Sequence, residues 1–140
     1  WHPSPGEDRQ PGDPIPMEQL PDFAAHVLGQ GVQAVCVTLD DQGCIAYTLD
    51  DYGDLESHVV PRVAIDQVVD TTGCGDSFAA GMAFGFLQDN DIVSACQYGN
   101  AMGAQRASAT VLDAYLPLDQ TNEQLALTYG GSPTSATARV

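Results

Sequence analysis

The run Asp70-Thr71-Thr72-Gly73-Cys74-Gly75-Asp76 concentrates the chemistry-bearing residues of this chain. It follows a short apolar lead, Val68-Val69, and precedes a stretch with helical periodicity. The first N–H groups of a helix lack intrahelical partners and, with the positive end of the helix dipole, form an anion site. Gly73 and Gly75 let the backbone approach a phosphate with no Cβ in the way, and Thr71 and Thr72 add hydroxyls. A dinucleotide fingerprint fits poorly, because Phe78 stands where its third glycine belongs. Asp76 carries two readings of equal standing. It can act as a general base, taking the proton of an alcohol while the N–H nest stabilises a transferred phosphoryl group. It can equally be the N-cap of the helix.

Those residues need a strand, a loop and a helix to position them. Residues 32–39 (VQAVCVTL) have the apolar, β-branched pattern of a buried strand. Asp40-Asp41-Gln42-Gly43 breaks it, and residues 44–49 read as the second strand of a hairpin. The acidic residues over 50–56 make a solvated turn, and residues 57–63 a third strand whose Pro61 suits an edge. After the loop, the spacing predicts a helix over 76–88. Phe78, Met82 and Phe86 form its core stripe, with Ala79, Ala83 and Leu87 beside it. Gly81 and Gly85 allow a neighbour to come close. Asp91 caps a second helix reaching about 109, its Ala95, Gly99, Gly103 and Ala107 suited to tight packing. Near the start, Asp22 reads as the cap of a short helix ending at Gly29 or Gly31. Residues 1–16, with five prolines, read as an extended linker, and 130–140 as a disordered tail.

The whole chain, 140 residues, suits one domain. Its basic residues are Arg9, Arg62, Arg106 and Arg139, with no lysine. That excludes Schiff-base lysines, Walker A lysines and the strand lysine of protein kinases. A net charge of −15 repels nucleic acid and anionic lipid, so neither is expected as a partner. The acidity reads either as compositional bias or as adaptation to high salt. No apolar run is long enough for a membrane span. Cys36, Cys44, Cys74 and Cys96 show no CxxC spacing and no histidine companions, which argues against zinc and for a reduced, cytoplasmic setting. Cys36 and Cys96 read as core, Cys44 as strand, and Cys74 as a small residue in the loop. His2, His26 and His58 show no catalytic spacing, and Arg106 reads as a surface or ion-pair residue.

The segment from Asp70 to Phe78 resembles the second signature of the PfkB/ribokinase family of carbohydrate and nucleoside kinases, DTxGAGDxF, with Cys74 for alanine. Val37-Thr38-Leu39 followed by Gly43 is similar to the family's TxGxxG nucleotide segment, with Asp40 in place of its first glycine. Gly99-Asn100-Ala101 is similar to its adenine-side helix. The resemblance implies an α/β, ribokinase-like domain, a Rossmann-like three-layer α/β/α arrangement. Residues 17–129 would form its C-terminal, ATP-binding part. It implies transfer of the γ-phosphoryl group of ATP to a hydroxyl of a sugar or nucleoside, with Mg²⁺ accompanying ATP. Asp76 is then the catalytic base, and Gly73, Cys74 and Gly75 the anion hole. Thr38 and Gly43 then lie by the phosphates and ribose and Asn100 by the adenine, with Thr72 and Gly103 also among the cofactor-binding residues. Asp70 and Thr72 match positions that hold a monovalent cation, K⁺, in part of the family. No NxxE or glycine-pair substrate motif occurs. With Trp1 in place of Met, this leads us to expect a fragment lacking the substrate half. Its bare sheet edge leads us to expect either marginal stability or self-association, for which a homodimer is one form. The rival expectation is a non-catalytic nucleotide-binding or regulatory module from a truncated or split kinase.

Overall fold

The computed structural model describes residue 10, residues 12–110 and residues 115–130. Most of the expected linker and tail, with His2, Arg9 and Arg139, lies outside the described residues. The described elements are α1 (Leu20–Leu28), β1 (Val35–Thr38), β2 (Cys44–Leu49), β3 (Leu55–Val60), α2 (Cys74–Asp89), α3 (Ile92–Ala107) and α4 (Leu118–Tyr129). The strands form one sheet in the order β1-β2-β3, joined by two consecutive hairpins. Among the described residues no helix is long and apolar enough to cross a membrane.

The chain divides into two compact units, 1–35 with 47–57, and 36–46 with 58–140. In the first, α1 begins two residues before the expected cap. Pro21 sits in the first turn, where its missing N–H costs nothing, and Asp22 lies inside the helix. Leu20, Ala24 and Leu28 form its buried stripe. The acidic turn closes on itself: Asp50 Oδ1 accepts the N–H groups of Tyr52 and Asp54, at 2.9 and 2.8 Å.

The second unit holds the residues of the signature. The strand expected over 32–39 is shorter, Val35–Thr38, and only half-buried, because it is an edge strand. Asp40–Gln42 form a 3-10 turn, closed by Leu39 N–H on Gly43 O at 2.8 Å. Asp40 has φ 50°, a left-handed conformation that glycine adopts freely and aspartate tolerates. This backbone accommodates Asp40 where the TxGxxG segment it resembles has its first glycine. The third strand ends at Val60, before Pro61.

α2 and α3 form a helical hairpin. Asn90, with φ 51°, ends α2, and Asp91 caps α3 by accepting Ser94 N–H at 2.6 Å. Ser94 Oγ also donates to Asp89. The expected stripe holds, Phe78 buried and Met82 and Phe86 half-buried, but the residues expected beside it, Ala79, Ala83 and Leu87, are exposed. The glycines decide the contact face. A Cβ on Gly81 would lie 2.5 Å from Tyr98 O, and one on Gly85 2.6 Å from Tyr98 Cδ2. Gly99 makes the reciprocal space, its absent Cβ lying 2.8 Å from Phe78 Cε2. One core cluster gathers Cys44, Ala46, Val60, Phe78 and Cys96, and a second Val63, Tyr98, Ala101 and Leu125. The second includes α4, which sequence periodicity did not predict: only Thr121 and Leu125 of its residues are buried.

Candidate functional site

The segment leading into the signature is tied to the end of α3: Val69 and Asp70 N–H donate to Ala107 O, at 2.7 and 3.3 Å. Asp70 then turns the chain. Its Oδ1 accepts Thr72 N–H at 2.9 Å, and its Oδ2 meets Arg106 Nη2 at 3.1 Å. These partners, the Thr72 N–H foremost, hold the Asp70 carboxyl below the ordinary carboxylate range. Arg106 is only 5% exposed. Its Nη1 donates to Ala109 O at 2.7 Å, and its buried Nε has no hydrogen-bond partner among the described residues. It is therefore a buried ion-pair residue and not a surface one. At Asp70 and Thr72, where a cation is expected, both Asp70 oxygens already carry a hydrogen bond, and a cation there would stand beside the guanidinium.

Gly73, with φ 79°, carries the chain into α2, which starts at Cys74 and not at residue 76. Asp76 is thus the third helical residue, and its N-cap reading is excluded. Ser77 fixes the turn, its Oγ donating to Gly73 O at 2.8 Å and lying 2.6 Å from Tyr115 Oη. The Cys74 N–H donates to Thr71 O at 3.1 Å. This corrects the expected anion hole, because the Cys74 N–H is spent on the turn. The N–H groups of Gly73, Gly75 and Asp76 make no hydrogen bond among the described residues. They are the orphan donors of a helix sixteen residues long. The Asp76 carboxylate is exposed and has no partner among the described residues. Burial pushes the Cys74 thiol up, which opposes a reactive thiolate there.

The start of α2 forms part of the wall of a cleft of about 520 Å³. Of the expected residues, the cleft brings together Thr38, Cys74, Gly75, Asn100 and Gly103. Asp70, Thr72, Gly73 and Asp76 are not on its wall. Gly43 is buried against the end of β3, where an added Cβ would meet Val60 O at 2.2 Å, so it shapes the hairpin and does not face the cleft. Asn100 lines the cleft, but its Nδ2 is committed to Val60 O, Pro61 O and Tyr129 Oη, at 3.2, 3.0 and 3.1 Å. Tyr129 Oη donates to Pro61 O at 2.5 Å, and burial pushes its pKa up to about 12. Asn100 therefore ties α3 and α4 to the chain after β3.

Sequence reasoning missed Arg62, which lines the cleft, is exposed and has no partner among the described residues. In a chain with four basic residues, each arginine was a signal worth following. It also missed a thiol cluster. Cys36, Cys44 and Cys96 place their Sγ atoms within 4.8 Å of one another. Cys96 donates an S–H bond to Cys36 at 3.4 Å, and the neighbouring thiols lower Cys36 and raise the other two.

A profile of the pfkB family carbohydrate kinase matches residues 12–117. The chain is 34% identical over 99 residues to 2-dehydro-3-deoxygluconokinase of Bacillus subtilis, covering 70% of this chain and 29% of that protein. A Burkholderia thailandensis nucleoside kinase in complex with inosine superposes with a TM-score of 0.67 at 25% identity, over 77% of this chain and 35% of that one. A Methanocaldococcus jannaschii nucleoside kinase, an archaeal member of the ribokinase family, gives a TM-score of 0.61 at 27% identity, over 70% and 31%. The α/β fold is thus ribokinase-like. The chain spans about a third or less of the length of each of these proteins.

Proposed function

The chain belongs to the pfkB family of carbohydrate kinases, and we propose that it forms the nucleotide side of an ATP-dependent sugar or nucleoside kinase. The observation that carries this reading is the free N–H set of Gly73, Gly75 and Asp76 where α2 begins, beside the cleft. Three donors and the positive end of α2 suit the anionic γ-phosphoryl group. Arg62, unpaired at the cleft among the described residues, suits the remaining phosphates. The apolar part of the wall, Val63, Ile65 and Phe78, suits a base or ribose, with Asn100 and Gly103 beside it. The nucleotide enters as its magnesium complex, which offsets the carboxylates of Asp40 and Asp41 on the same wall.

In the proposed reaction the acceptor's hydroxyl oxygen forms a bond to the γ-phosphorus as the bond from that phosphorus to the β,γ-bridging oxygen breaks. The hydroxyl proton passes to the Asp76 carboxylate, and ADP leaves. Asp76 suits this role because no partner among the described residues competes for its oxygens. Its position, one residue beyond Gly75, sets it next to the phosphoryl donors. Residues holding the acceptor are assigned to the part of the relatives that this chain does not match.

The test is phosphoryl transfer from ATP to a panel of sugars and nucleosides, by the chain in its kinase, with Asp76 and with Asp76→Asn. Loss of the base is expected to lower kcat by about 10²–10⁴-fold while nucleotide affinity holds. Near-normal turnover in Asp76→Asn would remove Asp76 from the mechanism. The two carboxylates at the nucleotide cleft favour a second reading, a module that binds nucleotide weakly without transfer. That reading expects binding and no turnover even with Asp76 present.

A further inference from the structure

We propose that Cys36, Cys44 and Cys96 form a three-sulfur site for a soft, thiophilic monovalent ion of the cuprous class. The three come from separate elements, β1, the first residue of β2, and the second turn of α3, so only the folded chain assembles them. Their Sγ atoms all lie within 4.8 Å of one another, with Cys36 and Cys96 3.4 Å apart. Three sulfurs about 2.3 Å from a central ion stand about 4 Å from one another, so small rotations of the side chains reach that geometry. The donor set selects the ion. Thiolates favour soft metals, and with no fourth side-chain ligand in the cluster, a three-coordinate monovalent ion fits better than tetrahedral zinc. Around the thiols lie Ala46, Val60 and Phe78, which shield the sulfurs from water. Cys44 and Cys96 are fully buried, whereas Cys36 is partly exposed and gives a way in.

Binding would clamp β1 to α3. Both lead to the nucleotide cleft, through Thr38 two residues after Cys36 and Asn100 four residues after Cys96. The site is separate from that cleft and stands whether or not the chain binds ATP.

The test is anaerobic titration of the fully reduced chain with cuprous ion against a competing chelator, followed by the copper retained and by thermal unfolding. One ion per chain and a raised melting temperature are expected for the wild type and for Cys74→Ser. Outer-shell changes already weaken metal sites by about 10–100-fold, so Cys44→Ser is expected to weaken binding by about 100-fold or more. Cys36→Ser, at the half-buried position, provides a second ligand variant should Cys44→Ser fail to fold. No retained copper in the folded wild type would overturn the site. So would equal retention by folded Cys36→Ser or Cys44→Ser, loss of retention in Cys74→Ser, or recovery of a Cys36–Cys96 disulfide without copper.

Discussion

Arg106 and Asp70 are 3.1 Å apart, the arginine side chain 6% exposed and the carboxylate 33%. Through this pair the end of α3 holds the loop that opens α2, because Asp70 also receives the Thr72 N–H. The folded state lowers the Asp70 pKa below its ordinary value. Its contribution to stability is therefore complete above the ordinary carboxylate range and lost as pH falls through the depressed value. Asp70→Asn is expected to flatten that acid limb and to lower the melting temperature at neutral pH, since it leaves the buried guanidinium unpaired. Unfolding followed from pH 7 to about pH 2 checks this. An unchanged acid limb in Asp70→Asn would show that the pair does not hold the loop.

Gly73 and Gly75 are two residues apart and should respond oppositely to alanine. Gly73 has φ 79°, where an L-residue costs about 1–2 kcal/mol, so Gly73→Ala is expected to destabilise by that amount. Gly75 is helical, and its added Cβ meets nothing within 4 Å. Gly75→Ala should be neutral or stabilising by up to about 1 kcal/mol. Urea unfolding of both variants checks the contrast, and equal effects would contradict the assigned backbone of the loop.

Gly99 is a packing residue. Its alanine variant pushes a methyl group into the Phe78 ring, whose nearest atoms would lie 2.8 and 2.9 Å away. Overpacking of this kind costs about 1–3 kcal/mol. In a domain of this size each kcal/mol lowers the melting temperature by about 2–4 °C. No change in the melting temperature would mean that α2 and α3 are less closely packed than described.

The loop and its two helices were legible in the sequence because backbone chemistry is local. Gly73, Gly75 and the Asp91 cap announce themselves within a few residues. The start of α2 was misplaced because its cap is the left-handed backbone of Gly73 and not a side chain. The role of Gly43 was misread because what it touches, the backbone after β3, lies far along the chain. α4 escaped notice since two buried positions, Thr121 and Leu125, make too faint a stripe. The thiol cluster was invisible for the same reason as Gly43: its spacings of 8 and 52 residues carry no motif, and tertiary packing alone joins them.

A net charge of −15 gives self-repulsion that salt relieves. Raising KCl from 0.1 to 1 M shortens the screening length from about 10 to about 3 Å. The melting temperature is expected to rise across this range. A melting temperature that stays flat or falls would count against both the repulsion and the high-salt reading of the composition.

In the proposed kinase the start of α2 and its cleft receive the phosphates of ATP. Calorimetric titration of the folded chain with ATP and Mg²⁺, in high salt, tests it most directly, with Gly75→Val beside the wild type. Binding by the wild type is expected, and its loss in Gly75→Val, whose side chain enters the cleft while the fold persists. A folded wild-type chain that binds no ATP, or a Gly75→Val chain that binds it equally well, would contradict it.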